Sequence, residues 1–230
     1  MSAVETAMHG LRAKIASGEL LPGQKCPPEG ELAAQLGVSR SSLREAIRAM
    51  SALGVMEARH GSGTYVSSLE PAQILKGFAL LVDLFPFDSV LELFEIRRSL
   101  ESHAAAGAAA RATPELMAEL DDLVAKMEAT ENSADISDLD ARFHEAICAA
   151  GGNSTLTSLM GLFRSRGRHF NVFDSVEGAN VREASNKGHR DIVEAIRNRD
   201  PSSAATATAG HIAQTEFWLK KLRPAPDLDR

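Results

Sequence analysis

Between residues 72 and 220 the apolar side chains recur at helical spacing, and no segment alternates as a half-buried strand would. Helices are expected near 72–84, 88–110, 114–129, 136–150, 153–174, 178–199 and 201–221. Their breaks fall at Pro86, Pro114, "ENSAD", "GGNS", "VEG" and "RDP", residues that stop helices or open turns. Helices joined this closely have antiparallel neighbours, so the greater part of the chain is confined to an all-α antiparallel bundle. Composition agrees, because aromatics make up only 5% of the chain while Ala, Leu, Glu and Arg are plentiful.

The first seventy residues follow a different plan. Val4, Ala7, Met8, Leu11 and Ile15 mark one helix, closed by Gly18. "LPGQKCPPEG" breaks the pattern, "ELAAQLG" forms a short second helix, and "LREAIRAMSALG" a third, with Leu43, Ile47, Met50 and Leu53 on one face. Either Ser41 or Ser42 suits its N-cap, Ser42 having Glu45 three residues on. Two short helices about a tight turn describe a helix-turn-helix. "VMEAR" and "TYVSS", joined by the Gly-rich "HGSG", describe a two-stranded wing. The expected fold is therefore mainly α: a winged helix-turn-helix of three helices and two strands, followed by the bundle. Expected boundaries are 1–70 for the first domain, 71–85 for a linker or first helix, 86–223 for the helical domain and 224–230 for a flexible tail.

The net charge of −6 argues against nucleic acid as a partner until it is located. Residues 1–70 hold seven Lys+Arg against seven Asp+Glu, whereas the rest hold 18 against 24. Within the neutral part, Arg40, Arg44 and Arg48 recur every four residues with Arg59 downstream. Arg40, Ser41, Ser42 and Arg44 occupy the first turns of the third helix, where DNA-reading helices carry their contacts. Arginine forks onto a guanine edge or a phosphate, and serine hydroxyls suit phosphate oxygens. Cys26 and Cys148 lie far apart without metal-type spacing and read as reduced thiols. With no basic-then-apolar leader and no stretch of ~18 apolar residues, a soluble cytoplasmic protein with no membrane partner is expected.

In "DLDARFHEAI" the stripe is Leu139, Phe143, Ala146 and Ile147, and Asp140 and His144 lie beside it one turn apart. His189 and His211 each stand 11 residues from Asp200. If the chain reverses at Asp200–Pro201, both imidazoles lie about 16 Å from the turn, at one level of a helical hairpin. His₃Asp is a donor set for zinc foremost, with nickel or manganese as alternatives. Arg97 falls within the buried stripe of Leu93, Phe94, Leu100 and Ala104 and needs an anion there. Glu101 at i+4 and a carboxylate ligand both answer that need. The run of Arg164, Arg166 and Arg168 reads as a solvated or interface face.

"LPGQKCPPEGELAAQLGVSRSSLREAIRAMSALGVMEARHGSGTYV" resembles the winged helix-turn-helix of GntR-family bacterial transcription regulators. The resemblance implies that Arg40, Ser41, Ser42 and Arg44 contact an operator, and that His60 and Gly61 form the wing tip entering the minor groove. "VLELFEIRRSLESHAA", "DLDARFHEAI", "GGNSTL" and "GHRDIVEAIRNRDPSSAATATAGHI" resemble the FCD ligand-binding domain of FadR-type members. In many of those an Asp and three His hold a metal, and the matching positions are Asp140, His144, His189 and His211. Arg97 is then implied to meet the effector. Two residues depart from the pattern: Gly30 stands where an Arg is usual, and Gly188 where an acidic residue often precedes the histidine. The expected function is ligand-responsive transcription regulation, as a repressor and homodimer on a near-palindromic operator, with a small organic acid as effector and no enzymatic activity. The alternatives are a metal-dependent enzyme fused to a DNA-binding module, with no evident general base beyond Glu145, and a regulator whose metal is purely structural.

Overall fold

The computed structural model describes residues 1–167 and 169–226, without the side chains of Lys76 and Leu80. Residues 227–230 of the expected tail, and Arg168, lie outside the described residues. The chain divides into two compact units, Met1–Leu81 and Val82–Arg230.

The first unit opens with α1 (Ala3–Ala16), started by a reciprocal capping box between Ser2 and Glu5. α2 (Glu29–Leu36) ends at Gly37, whose φ of 65° a side chain would disfavour. α3 (Arg40–Ala52) is capped by Ser39, not by Ser41 or Ser42 as expected. The Ser39 hydroxyl accepts from the Ser42 amide at 3.0 Å, so the helix begins two or three residues earlier and Ser41 and Ser42 lie inside its first turn. Leu11, Leu32, Leu43, Ile47 and Met50 from these helices bury one another with Met56 and Val66.

Strands β1 (Met56–Arg59) and β2 (Gly63–Val66) pair antiparallel, Met56 opposite Val66 and Arg59 opposite Gly63. The α1–α2 connection adds backbone bonds to β2: the Cys26 amide donates to the Thr64 carbonyl and the Val66 amide to the Gln24 carbonyl. α4 (Pro71–Val82) lies against the end of α3. A Cβ on Gly54 would stand 2.4 Å from the Gln73 carbonyl oxygen, and one on Gly77 2.7 Å from that of Ala52.

The second unit is helical: α5 (Phe87–Ala110), α6 (Pro114–Ala129), α7 (Ser133–Ala150), α8 (Ser154–Gly167), α9 (Gly178–Arg197) and α10 (Pro201–Leu222). Three-residue links join α6 to α7 and α9 to α10, and each pair packs along its length, which leaves only an antiparallel arrangement. The core sets Ala105, Ala108 and Ala109 of α5 against Leu123, Phe143, Ile147, Ile192 and Ile196. Alanines on α5 let the neighbouring helices come close, and Phe143 is fully buried. α8 was expected to reach residue 174 but stops at Gly167. Phe170 and Val172 instead turn inward to a second cluster with Val90, Phe94, Ile212 and Leu219, and burying two large apolar side chains outweighs two more helical turns. Among the described residues no helix is long and apolar enough to cross a membrane.

Candidate functional site

α7 carries Asp140 and His144 beside the fully buried Phe143. The α9–α10 hairpin reverses at Asp200, whose carboxylate caps α10 by accepting from the Ser202 and Ser203 amides at 3.0 Å each. That turn brings His189 of α9 and His211 of α10 to the same level, and the side chains of His144, His189 and His211 are all buried. One donor atom from each of the four residues lies within 4.8 Å of every other. His144 Nε2 is 3.3 Å from His211 Nε2, and His189 Nε2 is 3.1 Å from Asp140 Oδ1. The His144 and His211 rings stack with centroids 5.2 Å apart.

The protonation states suit metal ligands. Burial first, and then the neighbouring imidazoles, push His211 well below the ordinary histidine value; burial and the Arg164 charge lower His144. Both imidazoles are thus neutral with a free lone pair. Burial alone would raise Asp140, but Arg164, His144 and His189 hold it well below the usual carboxylate range, so it is ionised. Three imidazoles and one carboxylate converging by their donor atoms fit a divalent borderline ion. The far side of His144 is also fixed: Nδ1 donates to Glu101 Oε2 at 2.8 Å, the carboxylate–histidine pairing that orients metal ligands. His189 Nδ1 and His211 Nδ1 are buried with no partner among the described residues. Gly188 faces the second of these, since a Cβ there would come within 2.5 Å of His211 Nδ1.

A cavity of about 80 Å³ opens beside these ligands, lined by Asp140, His144 and His211 together with Phe94, Arg97 and Arg164. Ser137, Ser185 and Thr215 add hydroxyls to its wall. Arg97 is buried, and its Nε donates to Glu101 Oε1 at 2.7 Å while its guanidinium lies over the Phe94 ring. The sequence-level answer to its charge is therefore present, and the residue also lines the cavity.

The reading of Arg164 and Arg166 as a solvated or interface face is overturned. Both are buried: Arg164 bonds Glu101 and Asp140, and Arg166 donates to the Phe85 carbonyl at 2.9 Å. The signal lay in the spacing, because Leu156, Met160 and Arg164 follow one another at four-residue intervals on the buried face of α8. The sequence offers Glu101 only as a partner of Arg97, whereas in the fold it meets Arg97, Arg164 and His144 together.

In the first unit Arg40, Ser41, Arg44, His60 and Gly61 are exposed and Ser42 is half-buried. Arg44 Nε donates to Glu29 Oε2 at 2.6 Å, which braces it against α2. The Arg40 guanidinium rests over Gly30, where a Cβ would lie 2.8 Å from its Nη2. Gly61, with φ of 69°, turns the wing hairpin. Cys26 and Cys148 are free and buried, and burial raises the Cys148 thiol to about 12.

Comparison with known proteins bears on both units. The profile of the GntR family of bacterial regulatory proteins matches residues 3–66, and that of the FCD domain matches residues 92–214. The chain is 34% identical over 147 residues to the HTH-type transcriptional regulator LutR of Bacillus subtilis, covering 64% of this chain and 67% of the relative. It is 31% identical over 225 residues to an Escherichia coli K12 protein named for regulation of the L-lactate dehydrogenase operon, covering 92% and 84%. Among solved structures it is similar to Streptococcus agalactiae GntR, with a TM-score of 0.61 at 32% identity over 93% of this chain and 99% of that one. These proteins are regulators and not enzymes, so the reading as a metal-dependent enzyme falls away. The chain belongs to the GntR family of bacterial regulatory proteins: it is a DNA-binding transcriptional regulator with a winged helix-turn-helix followed by an FCD domain.

Proposed function

We propose that this regulator senses a small organic acid at a metal ion held by Asp140, His144, His189 and His211, and that binding changes its affinity for operator DNA. The observation that carries the reading is the convergence of these four donors, three of which, Asp140, His144 and His211, line the cavity that Arg97 also lines. A bound divalent ion, zinc in the first instance, would supply Lewis-acid affinity for a carboxylate. Arg97 contributes a second cation for the same anion, and the hydroxyls of Ser137, Ser185 and Thr215 offer bonds to a polar substituent. The name of the Escherichia coli relative makes L-lactate the first acid to try, with sugar acids and dicarboxylates beside it.

On the DNA side we propose residues 1–70 as the reading domain, 71–85 as linker and first helix, and 86–223 as the sensing domain. Arg40, Ser41, Ser42 and Arg44 would meet the major groove, and His60 and Gly61 the minor groove. A homodimer on a near-palindromic operator, acting as a repressor in the cytoplasm, completes the reading. Ligand-linked release corresponds to a coupling of ~1–3 kcal/mol, or ~5–150-fold in operator affinity.

The test is operator binding by fluorescence anisotropy with zinc-loaded protein, titrated with L-lactate and a panel of sugar acids and dicarboxylates. One acid is expected to lower affinity within that range, and to fail with His144→Ala or His211→Ala protein. A panel without effect on zinc-loaded wild type, or an effect that survives chelation, counts against sensing at the metal. If chelation unfolds the helical unit outright, the ion is a structural staple.

A further inference from the structure

Arg164 of α8 has a side chain only 9% exposed, and its guanidinium spans two carboxylates. Nη1 donates to Glu101 Oε2 at 3.0 Å and to Oε1 at 3.3 Å, while Nη2 donates to Asp140 Oδ2 and, at 3.4 Å, to the Asp140 carbonyl. Glu101 of α5 in turn accepts from His144 Nδ1. The circuit closes on α7. Asp140 and His144, one turn apart on that helix, are both held from outside it through a single arginine.

We propose that Arg164 is the positioning residue of the metal centre, fixing the Asp140 carboxylate directly and the His144 ring through Glu101 before an ion arrives. The inference rests on the metal-sensing reading above. A planar guanidinium offers several donors in a fixed fork, so one side chain can satisfy two carboxylates in defined directions; an ammonium is a point charge and cannot. Without the fork, the Asp140 side chain regains rotamers that metal binding must remove again. Glu101 likewise keeps its pairing to Arg97 but loses the contact that aligns it toward His144.

Simple charge balance predicts the opposite sign. Arg97 and Arg164 offset Glu101 and Asp140, so deleting the Arg164 charge leaves the site one unit more negative and more attractive to a divalent cation. If Arg164 acted only through its charge, its removal would tighten metal binding. If it acts by position, removal weakens it.

The experiment measures zinc affinity by competition with a chromophoric chelator, and the visible spectrum of the cobalt(II)-loaded protein, for wild type, Arg164→Met and Arg164→Lys. Thermal unfolding of the metal-free proteins is followed alongside. Both variants are expected to bind zinc about 10–100-fold more weakly, with a cobalt band altered by loss of the fixed carboxylate donor. Arg164→Lys, which keeps the charge, is expected to unfold near the wild-type temperature and still not recover affinity. Should Arg164→Met fail to fold, the lysine variant decides. Tighter zinc binding by Arg164→Met overturns the inference. So does a lysine variant with wild-type affinity and spectrum, or one whose lost affinity only tracks lost stability. A wild type that binds neither zinc nor cobalt overturns the sensing reading and this inference with it; a wild type that binds while both variants match it overturns this inference alone.

Discussion

Asp140 and Glu101 are the residues on which the candidate site turns, because each ties a candidate metal-ligand position to an arginine. Their surroundings determine a pH response. In the metal-free protein the folded site resists protonation of His144 and His211, whereas unfolded chains take up those protons near pH 6.5. The stability from keeping them neutral is complete above that pH and is lost as pH falls below it. Glu101 is held well below the usual carboxylate range: burial alone would raise it, but Arg97, Arg164 and His144 prevail. Its contribution, like that of Asp140, is lost only in more acidic solution, as pH falls below the ordinary carboxylate value. Urea unfolding of metal-free wild type should therefore show stability declining between about pH 7 and 5, and His211→Phe should flatten that decline. A wild-type profile level across this window would contradict the assignment. Of the candidate site residues, the Asp140–His144 pair and the level placement of His189 with His211 were legible from spacing, since i, i+4 and equal distance from a turn are one-dimensional facts; their grouping as one metal set leaned on the family resemblance as well. Glu101 as hub was not, because its partners lie 63 residues away on α8 and on the facing side of α7.

At the scale of the element, α3 is the part that the sequence describes well and the structure refines. Its apolar face and its end at Gly54 follow from pattern, but the cap is Ser39, whose hydroxyl reaches the Ser42 amide. Ser39→Ala should cost about 1 kcal/mol in unfolding free energy. Arg40→Ala and Arg44→Ala, both on exposed positions, should leave stability nearly unchanged and weaken operator binding in gel shifts. Unaltered affinity in both would remove this face from DNA reading. Gly30 acquires a concrete consequence as well, for the Arg40 guanidinium lies in the space a side chain there would claim. α8 teaches the converse lesson. Its pattern ran on to residue 174, yet the chain leaves the helix at Gly167 so that Phe170 and Val172 can fill a cluster made by α5, α9 and α10.

For the whole molecule, the two units have separate cores, one built on Leu11, Leu43 and Met56 and the other on Leu123, Phe143 and Ile192. Metal binding should therefore act on one of them. Hydrogen exchange with and without zinc is expected to slow in α7, α9 and α10, and to change little in α1, α2 and α3. Equal protection in both units, or none in α7, would contradict the proposed ligands. The net charge of −6 also finds its place at this scale, since the acidic excess lies in residues 71–230 and leaves the N-terminal unit neutral, with arginines gathered on one helix.

The sequence by itself determined the class of each half. Helical periodicity, helix-stopping residues and a Gly-rich hairpin turn are local signals, and local signals survive without a fold. It also determined which residues of α9 and α10 stand level, because rise per residue is fixed. Only the tertiary structure decided what faces them. The buried fork of Arg164, the three-way pairing of Glu101 and the inward turn after Gly167 all depend on side chains distant in sequence sharing one small volume. There the cost of a buried charge or an unfilled core, and not local preference, selects the arrangement.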